Sequence, residues 1–134
     1  MTDLPHKQLL STAKDISLPA EERITAIHAL VHSRDEKTIG ALIELLKDDN
    51  FDVRWAASTA LRKYGAEMLG QFLTVLATHP ADSRLYESAH RVLNHFGAPQ
   101  IEAILEPVIA ALKEPGAFAA VPVAAKEALE KLQD

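Results

Sequence analysis

The chain has 134 residues, no cysteine and a formal net charge of −5, from 14 Lys plus Arg against 19 Asp plus Glu. That length fits one domain able to bury about two-thirds of the surface its unfolded form exposes, and the missing cysteines exclude disulfides and thiolate metal sites. The acidic balance, with Arg62-Lys63 as the longest basic cluster, disfavours nucleic acid as a partner.

The opening Met1-Thr2-Asp3-Leu4-Pro5-His6 lacks the basic region and apolar run of a signal peptide, and no stretch approaches about 18 uninterrupted apolar residues. A cytoplasmic protein without a membrane span is the expectation.

Leu4 to Lys14 reads as a short helix with Pro5 in its first turn. Asp15-Ile16-Ser17-Leu18-Pro19 breaks it, and a second helix runs from Ala20 to about Ser33 with Ile24, Ile27, Leu30 and Val31 on its apolar face. After the polar turn Ser33-Arg34-Asp35, Asp35 or Lys37-Thr38 opens a third helix carrying Ile39, Leu42, Ile43, Leu45 and Leu46. It ends at Lys47-Asp48-Asp49-Asn50. The fourth helix is the clearest. Val53, Ala56, Ala57, Ala60, Leu61 and Tyr64 fall at i, i+3, i+4, i+7, i+8 and i+11 and make one stripe, with Asp52 placed to cap its start and Gly65 to stop its end.

A fifth helix covers Ala66 to Thr78 and breaks at His79-Pro80-Ala81-Asp82. The sixth runs from Asp82 or Ser83 to Phe96, ended by Gly97. Pro99 begins a seventh, Gln100 to about Glu114, in which the interior Pro107 predicts a kink or a split. Pro115-Gly116 stops it, and the last helix is expected to start near Val121-Pro122 and run to Leu132. No segment alternates with period two, so no strand is expected.

Eight helices in four pairs repeat in register. Leu30, Leu61, Leu93 and Leu129 recur every 31 to 36 residues, with Ala26, Ala57, Ala89 and Ala125 just upstream, and Leu46, Leu76 and Leu112 close the first helices. Gly40 and Gly70 coincide in that alignment, which predicts close backbone approach between neighbouring helices.

The run Ala41-Leu42-Ile43-Glu44-Leu45-Leu46-Lys47-Asp48, followed by Asp52-Val53-Arg54, Ala56-Ala57, Ala60-Leu61 and Gly65, resembles a short HEAT-like repeat of the kind also found in phycobilisome lyase subunits. The resemblance implies an all-α superhelix, a HEAT-like solenoid of about four antiparallel helix pairs. It divides a single domain, 1–134, into repeats at about 3–33, 35–65, 66–97 and 98–133. It also implies that the second helices line a concave, partner-binding side, and that Asp52 and Arg54 join polar contacts between repeats. Arg84 and Tyr86 in the third repeat, and Ala120 and Pro122 in the fourth, depart from that Asp/Arg pattern.

Trp55, the only tryptophan, falls off the apolar stripe. It either anchors a partner or packs on Ile24 and Ile27 of the preceding second helix. Arg62, His90, Arg91 and Asn94 fall on outward positions of the second helices, as solvated faces or as a polar groove for an acidic or phosphorylated segment, and Arg54, Arg62 and Arg91 are the expected charge contacts to a partner. His28 and His32, at i and i+4, are a candidate metal pair without a clear third ligand.

No cysteine nucleophile, phosphate loop or glycine elbow around Ser58 or Ser88 is present, so neither an enzyme nor a cofactor is expected. The uncharged run Gly116 to Ala125 either tucks Phe118 under the last helix or meets another chain. The function expected is a protein- or peptide-binding scaffold, monomeric or weakly dimeric. A bilin-lyase-type accessory role, implied by the resemblance, and a self-associating structural role are the alternatives.

Overall fold

Prolines and short polar side chains mark most helix starts in this chain. The computed structural model describes residues 5–133, so the expected start of the first helix at Leu4 lies outside the described residues. Its helices are α1 (His6–Lys14), α2 (Ala20–Leu30), α3 (Glu36–Glu44), α4 (Phe51–Tyr64), α5 (Leu69–Thr78), α6 (Ser83–Leu93), α7 (Pro99–Lys113) and α8 (Ala117–Leu132). Single 3-10 turns, Leu45–Lys47 and Gly65–Met68, follow α3 and precede α5, and no strand occurs among the described residues.

Asp35 caps α3 by accepting from the Thr38 amide at 2.8 Å, and Asp82 caps α6 by accepting from the Arg84 and Leu85 amides at 2.9 and 3.0 Å. Each cap satisfies amides that a helix start leaves orphaned. The cap of α4 is Asn50, whose Oδ1 accepts from Val53 N at 3.1 Å. Asp52, expected in that role, already lies inside the helix. Gly65 ends α4 with φ +63°, the left-handed conformation in which a Cβ is strained.

The chain forms two compact units, residues 1–64 and 65–134. In the first, α1 packs on α2, and α2 packs on α4. Ala26, Ala56, Ala57 and Ala60 are buried, and their small side chains let helix axes approach closely. Ile27, Leu30, Leu42, Leu46, Val53 and Leu61 lie wholly inside. Tyr64 Oη donates to the Ser33 carbonyl at 2.6 Å and approaches that of Leu30 at 3.3 Å, so α4 caps the carbonyl end of α2.

In the second unit α5 and α7 pack most extensively on α8. The buried face of α8 is Val121, Ala125 and Ala128, narrow enough for two neighbours. Met68, Phe72, Leu73, Leu85 and Leu105 fill the core beside it. The in-register leucines and alanines are buried through Leu93. In the last pair the alanine, Ala125, is buried, whereas Leu112 and Leu129 are half-buried.

Four expected details change. The last helix begins at Ala117 rather than near Val121, because Ala117, Ala119 and Ala120 are strong helix formers and Pro122 forfeits only one amide near the start. Pro107 does not split α7. It sits on the exposed side, where its missing hydrogen bond is open to water. Helix α6 stops at Leu93, since Asn94 is extended and His95 (φ 54°) and Gly97 (φ 91°) turn the chain through the left-handed region. A Cβ on Gly70 would meet nothing within 4 Å, so this glycine marks no close helix approach.

Candidate functional site

The first unit is tied by a buried ion pair that joins three segments. Arg23 on α2 is 4% exposed; its guanidinium grips both carboxylate oxygens of Asp48, and its Nε donates to the Ala13 carbonyl at 3.0 Å. Asn50 N donates to Asp48 Oδ2 at 2.9 Å, and Arg54 Nη1 donates to the Asp48 and Asp49 carbonyls at 2.7 and 3.2 Å. Burial pushes the Asp48 carboxyl up. The Arg23 and Asn50 hydrogen bonds, with the charges of Arg23 and Arg54, outweigh it and hold the group below the usual carboxylate range.

Thus the carboxylate that ties α2 to the α3–α4 turn is Asp48, whereas the exposed Asp52 makes no such contact. Arg54 braces the turn before its own helix. Spacing alone does not pair Arg23 with a residue 25 positions away, although an arginine among α2's buried positions was a legible signal.

On the outer side of α4, Phe51, Trp55, Thr59 and Arg62 are exposed at i, i+4, i+8 and i+11, one stripe along the helix. Trp55 is 52% and Phe51 49% exposed, their ring centroids 6.0 Å apart. The Arg54 guanidinium lies 5.5 Å from the Phe51 ring centre, which fastens the base of the stripe to the braced turn. Trp55 is therefore not a core residue. Phe51 precedes Asp52, the expected cap, so the sequence pattern left it outside the helix that it begins.

In the second unit, Ser83, Tyr86 and His90 fall at i, i+3 and i+7 on α6 and line an open cleft of about 490 Å³ with the end of α7 and the first turn of α8. Tyr86 is 6% exposed, and Phe118 packs edge-on against it with centroids 5.7 Å apart. Burial pushes the Tyr86 hydroxyl pKa up, so it stays a neutral donor. Tyr86 Oη and His90 Nε2 are both buried without a hydrogen-bond partner. Arg91 lies 3.7 Å from Glu87 and 3.5 Å from Ser88 Oγ.

Three sequence expectations are corrected here. His90 and Arg91 are half-buried rather than outward-facing, and Asn94 lies just past α6 rather than on its face. Phe118 stays 60% exposed in the first turn of α8 and leans on α6 instead of tucking beneath the last helix.

His28 is exposed on α2 and His32 lies in the turn beyond it. Among the described residues no three His, Asp or Glu side chains gather to hold a metal ion. No helix among them is long and apolar enough to cross a membrane.

Paired helices with in-register buried alanines, joined by a buried Arg–Asp contact, define an all-α repeat of the solenoid class. The family profile of HEAT repeats matches residues 7–94, well over half of the chain, and the chain belongs to the HEAT-repeat family. No curated protein and no solved structure matches it.

Proposed function

We propose that this chain, divided into four helix pairs, is a non-enzymatic binding module that holds a protein or peptide on the outward faces of its second helices. HEAT repeats commonly serve as protein-interaction scaffolds. The observation that carries the reading here is the exposed stripe of α4, where two aromatic rings stand together on a rigid helix. Aromatic and arginine side chains dominate the binding energy of interfaces, and a preformed helical surface loses little conformational freedom on binding.

Trp55 with Phe51 forms the apolar anchor. Arg62, two turns further along and about 10 Å away by helical rise, meets an acidic side chain of the partner. Arg54 acts through the turn it braces. The half-buried His90 and Arg91, and Asn94 beyond the end of α6, are not part of that outward face.

The test uses Trp55→Ala and Arg62→Glu, each first shown by circular dichroism to be folded. A partner captured by the wild type and lost by both variants supports the reading. Equal capture by all three refutes it. Because Trp55 is the only tryptophan, its emission reports the surface directly and must shift to the blue when the partner binds.

A further inference from the structure

The cleft of the second unit carries features that a solvated helix face does not need. Buried polar atoms are nearly always hydrogen-bonded, and one left without a partner is costly. Here two such atoms, Tyr86 Oη and His90 Nε2, belong to residues one helical turn apart that line the same cleft. Tyr86 is more than nine-tenths buried.

The rest of the lining is selective in charge and shape. Arg91 and Lys113 are opposed by the single acid Glu87, leaving one net positive charge. Ala117 and Phe118, the first two residues of the 16-residue helix α8, bring the positive end of its dipole to the same place, and no side chain caps that end. Leu112 and the rings of Tyr86 and Phe118 make the walls apolar.

We infer that this cleft binds a carboxylate carried on a compact apolar group: the Tyr86 hydroxyl, Arg91 and Lys113 hold the charged oxygens while the apolar group lies against Phe118 and Leu112. A single net positive charge suits a monoanion better than a doubly charged phosphate. About 490 Å³ accommodates one aromatic or branched residue-sized body. The Tyr86 hydroxyl is closed to solvent, so binding requires the 60%-exposed Phe118 ring that leans on Tyr86 to move aside. The same chemistry is offered by a free small carboxylic acid and by the C-terminal residue of a peptide. The inference does not depend on the α4 stripe.

The experiment is calorimetric titration of the full chain with four probes: 3-phenylpropionate, 3-phenylpropionamide, and an acetylated peptide ending in Phe as its free acid or its amide. At least one acid binds, and its amide binds at least tenfold more weakly. Tyr86→Phe, which removes the hydroxyl alone, weakens the acid by about tenfold, the effect of one hydrogen bond to a charged group.

Trp55→Ala leaves carboxylate binding unchanged, which separates this site from the α4 surface. Binding of the free acid alone identifies a small-molecule site, and tighter binding of the peptide acid identifies a reader of chain termini. Equal binding of acid and amide, an unchanged affinity in Tyr86→Phe, or no binding at millimolar probe overturns the inference.

Discussion

Removing either half of the Arg23–Asp48 pair should be the most destabilising polar substitution in the first unit. The two side chains are only 5% and 8% exposed. In Asp48→Ala the guanidinium keeps just the Ala13 carbonyl, and in Arg23→Ala the carboxylate keeps just the Asn50 amide. Breaking a buried pair from one side costs about 3–5 kcal/mol, because the other charge stays out of water. The lower end applies, since Asp48 lies in a surface turn.

For 134 residues, an unfolding entropy of about 2.1 cal/mol/K per residue turns 3 kcal/mol into a fall in Tm of roughly 10 °C. The fall is about twice that if the first unit, half the chain, melts by itself. Thermal melts and urea titrations at pH 7 measure it. The double variant Arg23→Met/Asp48→Leu should recover most of the loss, since apolar residues of similar size replace buried ion pairs at little cost.

The pair also sets an acid limit. The folded Asp48 carboxyl ionises below its unfolded value, so its contribution is complete above the unfolded carboxylate pKa and is lost as pH falls through the folded one. Stability between neutrality and strong acid should therefore fall less steeply in Asp48→Asn than in the wild type. A loss below about 1 kcal/mol in Asp48→Ala, or an unchanged acid profile in Asp48→Asn, would refute the reasoning.

Trp55→Ala should cost about 2 kcal/mol in urea titrations, less than the roughly 3–5 kcal/mol of truncating a fully buried aromatic, because half the residue is already in water. Tyr86→Phe should raise the Tm of the unliganded protein by a few degrees, since it deletes a buried hydroxyl without a partner, whose cost is about 1–3 kcal/mol. Gly65→Ala should cost about 1 kcal/mol by chemical denaturation. The space beside Gly65 is open, so the cost is entirely that of a Cβ at φ +63°.

Much of the fold is local in origin and therefore readable. The stripe from Val53 to Tyr64, the caps at Asp35 and Asp82, and the stop at Gly65 are set by residues within one or two turns of each other. Side-chain periodicity and orphan amides act over that range. The recurrence of Ala26, Ala57 and Ala89 marked the buried face, because close helix packing selects small side chains wherever a pair repeats. Helix ends were less legible. Ala117, Ala119 and Ala120 are helix formers, but Pro122 just downstream resembles a helix start and hides the extra turn before it.

The candidate site depended far more on tertiary structure. Sequence singled out Trp55, His90 and Arg91, but not that Phe51 joins Trp55, nor that His90 turns inward beside Tyr86 and Phe118. Asp48 and Arg23 are 25 residues apart, and an aspartate in a turn looks like any other cap until a buried arginine reaches it. Chain-local physics determined which residues become helices and which faces of them are apolar. Which polar groups meet, and which stay unpaired inside a cleft, follows from contacts between distant segments that only the packed chain creates.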